Sequence, residues 1–193
     1  DIHTLSFSPH KIIPTGQGGA ILCHNKELFD KIDRIKDFGR LKGGQDIHDY
    51  CGINNKFTEM QAMLGIIALK HLRQKQTFKQ NLYDTYYEAF KDIKEIMISE
   101  RKLNHTPWMI DIYVNDRDAL ASYLKEKEIE TRNIYPALNT QKCYNSTDIH
   151  LANSQMISNM GLWLPSSFNL TKEEQEYIIK TIKEYYEKSN NSL

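Results

Sequence analysis

Cysteine is scarce in this chain: Cys23, Cys51 and Cys143 are the only three among 193 residues, and no two form a Cys-x-x-Cys pair. That spacing argues against a disulfide framework and against a zinc knuckle, and it points to a reducing, cytoplasmic setting. Excess charge is lacking too. Lysine plus arginine count 25 against 25 aspartates and glutamates, so no electrostatic footprint for nucleic acid or an anionic membrane is present. No apolar run is long enough to cross a bilayer, so neither a membrane nor nucleic acid is expected as a partner. Metal ligands are equally thin. Asp46, His48 and Asp49 stand close together, but no further ligand follows at helical or strand spacing, and the stretch 40–52 reads as a solvated loop. Hydrophobic residues at 40% and charged residues at 26% fit a globular protein with material for one sizeable core or two small ones.

The stretch Ser6-Phe7-Ser8-Pro9-His10-Lys11, followed by Thr15-Gly16-Gln17-Gly18-Gly19 and the apolar run Ala20-Ile21-Leu22, sets a lysine between small hydroxyl residues and a glycine cluster. Such a setting has the ingredients of a covalent cofactor site, because an amine that is partly desolvated can lose its proton and attack an aldehyde. Hydroxyls and glycine amides can also approach phosphate oxygens closely. Read from the residues alone, a glycine turn beside a solvated lysine is the leading explanation of the stretch.

Periodicity then gives the elements. Residues 2–7 and 20–23 read as strands, and Asn25 caps a helix predicted over 26–38 that Gly39 ends. Thr58 and Gln61 form a capping box before the stripe Met60, Leu64, Ile67. A long helical pattern runs from Ala68 to about Ile93. Beyond it, the chain reads as an α+β lobe. Residues 108–114 form a strand, Asp116 caps a helix over 117–127, and residues 129–132 form a second strand. A helix over 152–160, a strand at 162–164 and a final helix over 172–188, capped by Thr171 with Glu174, complete it. Trp108 and Trp163 read as core aromatics and Tyr135 as a loop anchor. The domain division falls at residues 1–93 and 94–193.

Four blocks in this order resemble the sugar aminotransferases of the DegT/DnrJ/EryC1/StrS family. They are Ser-Phe-Ser-Pro-x-Lys with Gly-Gln-Gly-Gly, then Gly52-Ile53-Asn54-Asn55-Lys56-Phe57-Thr58 through Gln61-Ala62. Pro107-Trp108-Met109 with Asp111, and Thr131-Arg132 with Tyr135-Pro136 and Leu164-Pro165-Ser166, follow. The resemblance leans towards members similar to perosamine synthases. It implies an α/β fold, the C-terminal part of a pyridoxal-phosphate-dependent transferase of fold type I (aspartate aminotransferase-like) with a small α+β C-terminal domain. It also implies that a long N-terminal part precedes these blocks, so the chain is expected to be a portion of a larger enzyme and inactive alone.

The same resemblance implies the site. Lys11 falls on the lysine that carries pyridoxal 5′-phosphate, Ser6 on a serine that hydrogen-bonds its phosphate, and Asn54 on an asparagine that reaches the phosphate of the partner subunit in a homodimer with shared active sites. Lys56 stands where many members have arginine and is expected to face negative charge. Arg132, Tyr135 and Asn139 are candidates for lining a nucleotide-sugar site. The implied reaction is transamination of a nucleotide-linked keto-sugar, a 4-keto-6-deoxyhexose, with glutamate as amino donor, in polysaccharide or lipopolysaccharide biosynthesis. Rival readings are a truncated non-catalytic remnant or partner subunit of such an enzyme, and a phosphate-binding module. Ile53 and Asn55 replace residues that are usually aromatic, and Glu128 stands where a glycine is usual.

Overall fold

In a computed structural model, residues 2–144 and 151–190 are described, and they form two units, one up to Lys75 and one from Gln76. In the first unit, β1 (Ile2–Ser6) pairs antiparallel with β2 (Gly19–Cys23), Ile2 facing Cys23 and Ser6 facing Gly19. Helix α1 (Lys26–Lys36) starts where Asn25 accepts the Leu28 N–H, at 2.9 Å. Helix α2 (Glu59–Lys70) starts at the Thr58 box. The helix expected from Ala68 onwards is interrupted. The His71 N–H turns back to Ala68 O at 3.2 Å, a 3₁₀-type closure of the last turn, and α3 (Leu72–Phe90) begins one residue later.

Little of the first unit is buried. Helix α1 buries no residue and α2 only Ala68, while Met60, Met63, Leu64, Ile66, Ile67 and Leu69 of α2 are all exposed. A helix that is apolar on every side is one that globular folds bury.

The second unit holds the core. Strands β3 (Ile110–Tyr113), β4 (Arg132–Asn133) and β5 (Gly161–Leu164) form an antiparallel sheet in the order β3-β5-β4. Helices α4 (Arg117–Glu126), α5 (Ala152–Met160) and α6 (Lys172–Asn190) alternate with these strands along the chain. Ile110, Ile112, Leu120, Leu124, Leu162, Ile182, Tyr86 and Phe90 are fully buried together. Burying each such side chain contributes about 1.5–3 kcal/mol.

Helix α3 fastens the chain after β5. Tyr86 donates to Pro165 O at 3.0 Å, and buried Lys79 donates to Ser166 O and, at 3.3 Å, to Trp108 O. Its ammonium also lies over the Phe168 ring, 5.1 Å from the centroid.

Three expectations shift for identifiable reasons. Asp116 does not cap α4 with its side chain, because its carboxylate accepts the Tyr186 hydroxyl at 3.0 Å. The strand expected at 129–132 sits at 132–133, because Ile129 closes α4 instead. The Ile129 N–H donates to Leu124 O and the Glu128 N–H to Lys125 O, a Schellman ending with Leu124 and Ile129 both buried. Trp163 is half-buried and Trp108 is 39% exposed. Along β5, Leu162 and Leu164 turn to the core and Trp163 to the other face.

Glu128 takes φ +59°, the left-handed conformation that the Schellman ending requires. A glycine meets no Cβ penalty there. Glu128→Gly is therefore expected to stabilise the protein by about 0.5–1 kcal/mol, read as a higher urea midpoint; an unchanged or lower midpoint would count against the strain.

Burial lowers the Lys79 pKa from 10.5 to about 8. Its charged form is therefore disfavoured in the folded state, and the unfolded chain binds the proton more readily. Stability should rise as pH climbs from about 8 to 10.5, and Lys79→Met should lack that rise. Urea titrations across this range measure the slope.

Candidate active site

The loop 7–18 that carries Lys11 is closed from within. The Phe7 N–H donates to Gly18 O and the Thr15 N–H to Phe7 O, both at 2.9 Å, extending the β1–β2 ladder by one step. Thr15, only 3% exposed, adds a hydroxyl bond to Gln17 O at 2.8 Å. Inside the loop the Lys11 N–H donates to Ser8 O at 3.0 Å, closing a turn through Pro9 and His10 that leaves Lys11 half-buried. Ser6, at the end of β1, is exposed, and its hydroxyl oxygen accepts the Ser8 N–H at 3.4 Å. The structure thus places Ser6 and Lys11 on one loop and its stem. The glycines are required by contact: a Cβ on Gly18, at φ +134°, would come within 2.6 Å of the Phe57 ring, and one on Gly19 within 2.6 Å of Leu5 O.

Asn54 is positioned by the end of α1. The helix stops two residues before the expected Phe38, because its final carbonyls are taken by another segment: the Ile53 N–H donates to Ile35 O at 2.8 Å and the Asn55 N–H to Lys36 O at 3.0 Å. Phe38, in the left-handed region at φ +60°, donates its N–H to Ile53 O at 3.1 Å, and Asp37 and Asn54 face each other across this bridge. The segments approach so closely that a Cβ on Gly52 would lie 1.9 Å from Gly39 N. Lys56 pairs with Asp37 at 2.6 Å. That hydrogen bond, with Arg40 and Lys36 nearby, holds the Asp37 carboxyl below the usual carboxylate range.

A cavity of about 690 Å³ lies beside this bridge, with Gly18, Ile32, Asn54, Asn55, Lys56 and Gln61 among its walls. Asn54 and Lys56 are thus brought to one space. Ser6 and Lys11 are not among its lining residues.

In the second unit, Arg132 and Tyr135 are brought together. The Arg132 guanidinium lies 5.3 Å from the Tyr135 ring centroid and 5.6 Å from that of Trp163, and the two rings meet edge to face at 4.9 Å. Pairing of Arg132 with Trp163 across β4 and β5 sets this stack. Asn139 is half-buried on a 3₁₀ turn, Leu138–Thr140, outside the stacked trio.

Asp46, His48 and Asp49 each have a separate partner: Arg40 at 3.1 Å, Phe38 O at 2.8 Å and Arg34 at 3.5 Å. Among the described residues, no group of three histidines, cysteines or carboxylates is placed to hold a metal ion, and no helix is long and apolar enough to cross a membrane. Sequence reasoning passed over Thr15 and Asp37. Thr15 was read only as part of the glycine-bearing stretch, since its partners depend on loop closure; Asp37 carried no signal, because its partners Asn54 and Lys56 lie nearly twenty residues on.

The sequence profile of the DegT/DnrJ/EryC1/StrS aminotransferase family matches residues 1–183. A dTDP-4-amino-4,6-dideoxy-D-glucose transaminase of Shigella dysenteriae is 32% identical over 95% of this chain and 52% of its own length. A GDP-perosamine synthase of Escherichia coli O157:H7 is 29% identical over 96% of this chain and 52% of its own. The chain spans about half the length of the curated relatives it matches. Among solved structures, a DegT DnrJ EryC1 StrS aminotransferase from Brucella abortus superposes with a TM-score of 0.86 at 24% identity, over 95% of this chain and 50% of that one. The pyridoxal-phosphate form of a sugar aminotransferase from Streptococcus pneumoniae gives a TM-score of 0.86 at 19% identity, over 97% and 52%. These likenesses establish the fold as the α/β fold of these transferases. With the profile matched almost throughout, this chain belongs to the DegT/DnrJ/EryC1/StrS aminotransferase family.

Proposed function

We propose that this chain supplies the lysine-bearing part of a pyridoxal-phosphate-dependent aminotransferase that aminates a nucleotide-linked 4-keto-6-deoxyhexose, with glutamate as donor, for polysaccharide or lipopolysaccharide biosynthesis. The observation that carries this reading is the loop 7–18, which holds Lys11 half-buried between a stem that ends in Ser6 and the Gly18–Gly19 pair, where a Cβ on Gly19 would meet Leu5 O at 2.6 Å. The names of the two relatives quoted above support the substrate class.

The residues present fit the cofactor. A phosphate monoester takes hydroxyl and amide donors, and the Ser6 hydroxyl and the Asn54 carboxamide both stand exposed, with no bond from the Asn54 side chain to any described residue. Pyridoxal phosphate, when bound, supplies the electron sink for the carbanion at the donor's α-carbon. Lys11 Nζ holds the cofactor, and once released it carries the proton between that α-carbon and C4′. Ser6 donates to the phosphate, and Asn54 reaches the phosphate held by the partner subunit. Lys56 keeps two ammonium hydrogens beyond the Asp37 pair and offers them to an anion in the cavity. In the second unit, Arg132, Tyr135 and Asn139 are assigned to the nucleotide-sugar, with the Arg132 guanidinium available to its phosphates. The exposed apolar face of α2 supports assembly into a larger body, because such surface is seldom left to water.

In the assembled enzyme, Lys11→Ala should remove the visible absorption that pyridoxal phosphate gives on covalent attachment. A spectrum unchanged in that variant would contradict the assignment of Lys11.

Shared sites in a two-fold dimer make a second expectation. Mixing Lys11→Ala subunits with Asn54→Ala subunits should restore one complete site per heterodimer and about a quarter of wild-type activity per protein in a statistical mixture. Mixed dimers no more active than either parent would exclude sharing.

A further inference from the structure

Gln61 makes more bonds than a capping box requires. Its side-chain oxygen accepts the Thr58 N–H at 2.9 Å and the Thr58 hydroxyl at 3.0 Å, while its own backbone N–H donates to the Thr58 hydroxyl oxygen at 3.3 Å. The other end of the same carboxamide points away from the helix. Nε2 donates to Gln17 O at 2.8 Å, across 44 residues of sequence. The orientation of the amide is fixed by its partners, since a backbone N–H can only donate and a backbone carbonyl can only accept.

Gln17 O is the acceptor on which the lysine loop closes, for it also takes the Thr15 hydroxyl at 2.8 Å. Thr15 in turn donates its backbone N–H to Phe7 O, while Phe7 donates to Gly18 O. Phe57, just before the box, packs edge-on against Phe7 with ring centroids 6.0 Å apart and fills the space that Gly18 leaves. At the far side of the loop, Lys75 donates to Ile12 O at 3.3 Å. The chain on both sides of Lys11 is thus tied to α2 and to the first turn of α3.

We propose that Gln61 is a positioning residue for Lys11: its carboxamide couples the N-terminus of α2 to the Gly16–Gly19 loop, so that loop and helix move as one body. This rests on the reading of Lys11 as the cofactor-bearing amine. The chemistry separates the two halves of the role. Glutamate serves a capping box as well as glutamine does, but at neutral pH it has no hydrogen to donate to Gln17 O. Lysine has the converse properties, a donor that reaches outward and no acceptor for Thr58.

The test compares Gln61→Glu, Gln61→Lys and wild type by millisecond hydrogen exchange, reading Phe7 and Thr15 for the loop and Ala62, whose N–H bonds Thr58 O, for the helix start. Gln61→Glu should speed exchange at Phe7 and Thr15 by roughly five- to tenfold with Ala62 unchanged, the loss of about one net hydrogen bond. Gln61→Lys should do the reverse, loosening Ala62 and sparing the loop. In the assembled enzyme, Gln61→Glu should also slow the appearance of visible absorption with added pyridoxal phosphate. Loop exchange within twofold of wild type in Gln61→Glu, or equal loosening of loop and helix in both variants, would overturn the coupling. If wild type gains no absorption, the assignment of Lys11 fails, while the exchange comparison still decides whether Gln61 ties the loop to the helix.

Discussion

The first unit depends on the way α1 ends. A helix leaves its last carbonyls without partners, and here Ile35 O and Lys36 O are satisfied by a segment nearly twenty residues later in the chain. That exchange demands a sharp reversal, which Phe38 and Gly39 make with positive φ, and a close approach, which Gly52 permits. Asn54 follows from it directly, being the residue held opposite Asp37. Lys56 then finds Asp37 within reach, and the Thr58 box and α2 begin where this segment leaves off. Because Gln61 ties that helix to Gln17, the fixed end of α1 is transmitted to the loop that carries Lys11.

The two units divide labour in physical terms. Among the described residues, the second unit gathers sixteen buried apolar side chains into one core, and folds by the ordinary logic of side-chain burial. The first has almost no buried side chains and is organised by backbone pairing and glycine contacts. Backbone pairing places groups accurately, but it leaves apolar surface on α2 and on the hairpin, where Ile2, Leu5, Ile21 and Leu22 are about half exposed.

What could be read from the sequence was what local chemistry decides. Both capping boxes, Thr58 with Gln61 and Thr171 with Glu174, form as their spacing indicates, because all of their partners lie within one turn. The starts of α1, capped by Asn25, and of α6, capped by Thr171, were legible for the same reason. What could not be read was decided at long range. Asp116 exchanged its cap for Tyr186, seventy residues on. Helix α1 stopped early because residues 53–55 claimed its carbonyls. Lys56, expected from the resemblance to face negative charge, pairs with the distant Asp37. The second bond of Gln61 was hidden behind the first, since the capping box already accounted for a glutamine there.

Of α3, Leu72–Lys75 belong to the first unit and Gln76–Phe90 to the second. Its apolar positions Leu82, Tyr86 and Phe90 belong to the second core, while Lys75, near its start, bonds the lysine loop. A helix that serves both units has no boundary visible in its periodicity.

The central claim is that Lys11 is the residue to which the cofactor is joined. Reducing the assembled enzyme with borohydride in the presence of pyridoxal phosphate, digesting it and locating the added mass tests this most directly. The account expects one pyridoxyl group per chain, on the peptide that contains Lys11. A label on any other lysine, or no label on a protein shown to be assembled, would contradict it.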